Sequence, residues 1–217
     1  MTELLIADDH PLFREALRGV VSRIFPDTVI HEADQFERLY ALVEAYPDAD
    51  MLLLDLDMPG ASGFSGLVHL RSLHPQLPIV IVSAHEEPSI MRRALDHGAM
   101  GFIPKSSDSR QLGQALQQIL EGFPWAPAGV ENGAGADEDE MAAANRLRDL
   151  TPQQFRVLQM VYSGQLNKQI AYELNVSEAT IKAHMTHIMR KLGASNRTQA
   201  VLIASRLGIP EDPALRG

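Results

Sequence analysis

The 217-residue chain contains no cysteine, which rules out a disulfide framework and any thiolate metal site and suits a reducing compartment. No apolar run approaches the roughly 18 residues needed to cross a bilayer. The opening Met1-Thr2-Glu3 lacks the basic segment of a secretion signal. No internal repeat is evident. These absences lead us to expect a soluble, cytoplasmic protein with no membrane partner. Disorder is excluded as well, because a hydrophobic content of 45% is ample for packed cores. The length suits one large domain or two small ones.

Charge is unevenly spread. The net charge is −9 over residues 1–125, −3 over 126–148 and +3 over 149–217. An acidic part joined to a mildly basic part fits two domains with different partners, the basic one suited to phosphates.

Strand-like apolar runs occupy residues 4–7, 29–33, 51–54, 79–82 and 100–103. Helix-period segments lie between and after them, at 12–24, 36–45, 64–73, 90–97 and 111–120. Five such alternations describe an α/β fold: a doubly wound, five-stranded parallel sheet with right-handed crossovers. Pro11 and Asp108 read as helix-start signals. From residue 124 to 144, prolines and glycines break the periodicity around the acidic run Asp137-Glu138-Asp139-Glu140. We expect a flexible linker there, its acids solvated, with a short helix over 141–148. From Leu150 onward the pattern is all-α. Thr151-Pro152 starts one helix, Asn167 caps a short second, Ser177 with Thr180 opens a third reaching Leu192, and residues 197–207 form a last. Two helices joined by a short turn, the second long and basic, make a helix-turn-helix. The expected domains are 1–124, a linker over 125–148, and 149–212.

Met51-Leu52-Leu53-Leu54 runs into Asp55, and Leu4-Leu5-Ile6-Ala7 runs into Asp8-Asp9. Open α/β sheets bind ligands at the carboxyl ends of their strands. Three carboxylates converging there repel unless a divalent cation neutralises them. Mg²⁺ fits best, since it takes oxygen ligands and keeps waters that a phosphate can replace. Ser83 ends the fourth strand and Lys105 follows the fifth, placed to hold the oxygens of a phosphoryl group on Asp55.

Over residues 3–122 the chain resembles the receiver domain of bacterial response regulators. Asp8-Asp9, Asp55 with Met58-Pro59-Gly60, Ser83-Ala84 and Phe102-Ile103-Pro104-Lys105 carry that resemblance. It implies that Asp55 is the phosphoacceptor of a sensor histidine kinase or small phosphodonor. It also implies that Asp9 and Asp55 ligate Mg²⁺, that Asp8 acts through water, and that the Asp57 carbonyl completes the set. Ser83 and Lys105 would bind the phosphoryl oxygens, and Phe102 would be the switch aromatic. Phe102 stands where tyrosine is common. Pro104 precedes the lysine, whereas many receivers have a proline after it.

Residues 150–201 resemble the LuxR/NarL-type four-helix DNA-binding domain. Leu150-Thr151-Pro152, Gly164, Asn167-Lys168, Ile170-Ala171, Thr180-Ile181-Lys182, His184, Lys191-Leu192 and Asn196-Arg197 match, with Gln154 where glutamate is usual. The resemblance implies that Lys182, Ala183 and Thr186 face the major groove of double-stranded DNA. It assigns Lys168, Thr180, His184, Arg190 and Lys191 to phosphates. The small net charge calls for paired half-sites, and the last helix would be the homodimer surface. The chain thus reads as a phosphorylation-controlled transcription regulator of the NarL/FixJ type, and not as an enzyme. The alternatives are a phosphorylation-independent DNA-binding protein whose receiver only dimerises, and, much less favoured, a haloacid-dehalogenase-type phosphatase.

Overall fold

A computed structural model of the chain describes residues 2–61 and 63–208. Five parallel strands, β1 (Glu3–Ala7), β2 (Val29–Ala33), β3 (Met51–Leu54), β4 (Ile79–Ser83) and β5 (Gly101–Pro104), lie in the order β2-β1-β3-β4-β5. They alternate with α1 (Pro11–Ile24), α2 (Phe36–Ala45), α3 (Ser65–Leu73), α4 (Pro88–Asp96) and α5 (Ser109–Leu120). This is the expected doubly wound sheet. Period-two alternation divides the strands between two apolar layers. Leu4, Ile6, Leu53, Val80 and Ile103 pack with Leu17 and Val21 of α1 and with Leu116 of α5. Leu5, Leu52, Leu54, Ile81 and Phe102 face α2, α3 and α4. β3 is buried along its whole length, the reason it carries no polar residue. Proline at the first position of α1 and a reciprocal Asp108–Gln111 capping box on α5 start those helices as expected.

The second domain comprises α7 (Pro152–Tyr162), α8 (Asn167–Glu173), α9 (Glu178–Leu192) and α10 (Arg197–Ser205). Thr151 and Gln154 form a capping box on α7, and Ser177 caps α9. Gly193 ends α9 at φ 65°, in the left-handed region where a side chain is strained. Asn167 is not the cap of α8. Leu166 holds that place, the Gln169 side chain accepts its N–H, and Asn167 instead accepts from Arg197. The expected end of this domain at residue 212 lies outside the described residues. Among the described residues no helix is long and apolar enough to cross a membrane.

The segment expected to be a flexible linker is built against the receiver. Trp125 bridges the outer edge of β5, its N–H donating to Met100 and its carbonyl accepting from Phe102. A 3-10 turn (Val130–Asn132) follows, then α6 (Glu138–Leu147). The glycines here serve close approach rather than freedom. A Cβ on Gly133 would lie 2.1 Å from the Pro88 carbonyl oxygen, and one on Gly135 would lie 2.4 Å from the Asp96 carboxylate. Asp137 and Glu138 are solvated as expected. Glu140 is buried, because it meets Arg93 of α4 and His97, which caps that helix.

One apolar cluster runs without a break from receiver to output domain. At its centre Phe155 of α7 stacks on His69 of α3, with ring centroids 4.2 Å apart, and contacts Phe36 and Tyr40 of α2. His69 is fully buried; its Nε2–H donates to the Leu150 carbonyl at 2.9 Å, and its Nδ1 accepts from the Tyr40 hydroxyl. Burial therefore holds His69 neutral, lowering its pKa to about 4, with the Leu150 carbonyl opposing. Gln159 bonds Ser65, and Arg156 pairs with Glu37 at the rim. The domains are docked.

Candidate phosphoacceptor and DNA-reading sites

In the sheet register Ala7 lies opposite Leu54, so Asp8 and Asp55 leave neighbouring strands side by side. This is where the strand order reverses, between β1 and β3. Asp8 and Asp55 are each 2% exposed. Lys105 reaches between them from the β5–α5 loop, with Nζ 2.7 Å from Asp8 Oδ2 and 2.9 Å from Asp55 Oδ2. Burial raises the Asp55 pKa, and Asp8 and Asp57 raise it further, against the lowering effect of Lys105. Burial would lower the Lys105 pKa, but its bonds to Asp8 and Asp55 outweigh that and hold it above the ordinary value. The ammonium thus stays charged between two carboxylates. The other oxygen of Asp55, Oδ1, is buried with no hydrogen bond among the described residues.

Asp8, Asp9, His10 and Asp55 each offer a ligand atom within 4.8 Å of the others. His10 was not foreseen; its Nδ1 lies 2.7 Å from Asp9 Oδ1. A buried, unpaired carboxylate oxygen facing further acids is the donor set of a hard divalent cation, so these residues fit Mg²⁺.

Ser83 is buried at the end of β4, next to Pro104 in register, and its Oγ accepts from the His85 N–H. Phe102 is fully buried in the layer beneath. Asp57 points outward, with its carboxylate 3.2 Å from His85 Nε2 across the mouth of the crevice. His85 was likewise missed. A lone loop histidine gives no sequence signal until its neighbour across the sheet is known.

On α9, Lys182, Ala183 and Thr186 are exposed on one face, while Ile181, Met185, Ile188 and Leu192 are buried on the other. Lys168 and Arg190 are exposed, and Thr180 and His184 are half-buried at the borders of that face. Lys191 differs from expectation. Its ammonium bonds the Asp149 carbonyl at 2.7 Å and Gln154 Oε1 at 2.8 Å, tying the start of α7 to the end of α9. Gln154 therefore supplies the local contact that a glutamate would have made.

The chain matches the response regulator receiver domain family over residues 4–117 and the bacterial regulatory proteins of the luxR family over residues 148–204. It is a LuxR-type response regulator. The regulator is 41% identical to the glycerol metabolism activator of Pseudomonas putida, over 94% of this chain and 95% of that protein. It is 33% identical to the nitrate/nitrite response regulator NarL of Escherichia coli K12, covering 92% and 93%. Among solved structures it resembles RcsB of Salmonella enterica serovar Typhimurium bound to a promoter with the phosphomimetic BeF3− present. That likeness has a TM-score of 0.55 and 26% identity, covering 95% of this chain and 98% of that one. The regulator is thus a transcription regulator with a receiver and a DNA-binding output domain, and its family is not one of known enzymes.

Proposed function

We propose that the regulator is phosphorylated on Asp55 and, in that state, binds an inverted DNA repeat as a homodimer. The observation that carries this reading is the arrangement of Lys105 and Asp55: one carboxylate oxygen is held by the ammonium and the other is buried and free. In this reading Oδ1 attacks the phosphorus of a donor, a sensor histidine kinase or a small acyl phosphate, and the donor's imidazole or carboxylate leaves. Asp9, Asp55 and the Asp57 carbonyl would hold Mg²⁺, with Asp8 acting through water. The ion would supply charge neutralisation for the crowded oxygens. Lys105 and Ser83 take the phosphoryl oxygens, and Phe102 fills the space that Ser83 vacates as it moves inward.

In the output half, Lys182, Ala183 and Thr186 read base edges, while Lys168, Thr180, His184 and Arg190 sit over phosphates. Lys191 would have to give up its bonds to Asp149 and Gln154 to join them. The functional units are the receiver over 1–124, the connecting segment over 125–148 and the output domain over 149–212. The regulator works in the cytoplasm, where kinase and DNA are both available.

The test is incubation with Mg²⁺ and acetyl phosphate, followed by intact-mass and DNA-binding measurements. One phosphoryl group should be gained, none after chelation of the metal and none in Asp55→Asn. A full phosphoryl adduct on Asp55→Asn would place the acceptor elsewhere and sink the reading.

A further inference from the structure

The connecting segment follows α4 from end to end. It leaves the β5 edge at Trp125, and Gly133 then passes so close to Pro88 that no side chain would fit between them. The Ala136 N–H donates to the Asp96 carboxylate at the far end of α4. Glu140, 6% exposed, then accepts from Arg93 Nε with both oxygens at 2.9 Å and lies 2.6 Å from His97 Nε2. The two carboxylate oxygens share the single Nε–H of the guanidinium, and one of them also meets the imidazole, a charge-assisted contact largely removed from water.

Arg93 does more than hold Glu140. One of its terminal nitrogens, Nη2, donates to the carbonyls of Arg206 and Gly208, just beyond α10, at 3.4 and 3.2 Å. Its guanidinium lies over the Phe64 ring, 4.7 Å from the centroid, and the Phe64 N–H donates to the Leu207 carbonyl at 2.8 Å. The carboxyl end of α10 is therefore bound to the receiver by three consecutive carbonyls. The DNA-reading residues Lys182, Ala183 and Thr186 remain exposed in this docked form.

We infer that residues 129–140 are a strap across α4, clasped by Arg93, Glu140 and His97, through which the receiver restrains the end of α10 rather than covering the reading helix. The inference rests on the proposed phosphoacceptor and pairing-helix roles for its regulatory meaning. α4 begins only five residues after Ser83, so an inward pull on Ser83 acts on Pro88, the point where the strap is pressed closest. Loosening there weakens the clasp and frees α10 to pair, while the affinity of one output domain for a half-site changes little.

The regulator has no cysteine, so a labelled pair introduced by Ala45→Cys and Tyr172→Cys reports the separation of α2 and α8 unambiguously by energy transfer. Both positions are exposed. Arg93→Ala and Glu140→Gln remove the clasp. Gly133→Ala lifts the strap without touching a charge and guards against a folding defect in the first two. Each should lower transfer without any phosphoryl mimic and tighten self-association in sedimentation by about 5–150-fold, the usual span of coupling between sites. The unsubstituted protein should do the same on addition of Mg²⁺ and beryllium fluoride. Unchanged transfer and self-association in all three variants overturns the inference. Opening in the variants with no response of the unsubstituted protein to beryllium fluoride upholds the strap and refutes its control by Asp55.

Discussion

Lowering the pH from 7.5 to 5.5 should shift the output domain toward an undocked form, because the contact is built on a histidine that must stay neutral. His69 is enclosed by Tyr40 from α2, by Phe155 and the Leu150 carbonyl from the output domain, and by His74 at the end of its own helix. Among the described residues no carboxylate acts on it to stabilise an imidazolium, and burial lowers its pKa from 6.5 to about 4. Undocking removes Phe155 and Leu150 and returns the ring to water and its ordinary value. A depressed histidine pKa means that docking is at full strength above pH 6.5, weakens as the pH falls toward 4, and loses nothing further below that. At about 1.36 kcal/mol per pKa unit, the full gap is worth roughly 3.4 kcal/mol. At pH 5.5 the loss is about 1.4 kcal/mol, a tenfold shift toward the open form, and at pH 5 it is about 2 kcal/mol. The assay is energy transfer between labels on α2 and α8 across that range, with His69→Gln as the non-titrating reference. A flat profile down to pH 5, or the same slope in His69→Gln, would refute the reasoning.

Phe155→Ala should cost about 3–5 kcal/mol in denaturant unfolding, since it empties the centre of the shared cluster and removes the stack on His69. Lys182→Ala should cost about 1–3 kcal/mol and relax discrimination at one base position, whereas Lys168→Ala should weaken all sequences alike and reduce the salt slope of binding by about 1. Equal loss of specificity in both would mean that the two lysines are misassigned. Gly193→Ala, at φ 65°, should lower stability by roughly 1–2 kcal/mol in thermal unfolding without altering the phosphoryl adduct.

The receiver was legible because the inner strands of its sheet are buried on both faces. Four-residue apolar runs ending in Asp8, Asp55 and Ser83 mark both the strands and the candidate site in a single pattern. The helix-turn-helix was legible from the Thr151 and Ser177 caps and from the division of α9 into a polar and an apolar face. What stayed hidden depends on partners distant in sequence. Glu140 reads as one acid in a solvated run until Arg93 and His97, more than forty residues away, are placed beside it. Gly133 and Gly135 carry the same composition signal as flexible spacers, yet they are small because a neighbouring helix presses on them. Lys191 reads as one more basic residue on a DNA-facing helix until Asp149 and Gln154 claim it.

The bridge at Trp125 has a bearing on aggregation. β5 is an outermost strand, and an uncovered strand edge is a template onto which another chain can add. Trp125 blunts it by using the Phe102 N–H and the Met100 carbonyl. A strap that peeled away completely would bare that edge in every activated molecule. Movement is therefore expected to stop short of it, turning at Gly129, whose φ of 91° suits a glycine hinge. Trp125 is the sole tryptophan, so its fluorescence should stay constant while the labelled helices separate.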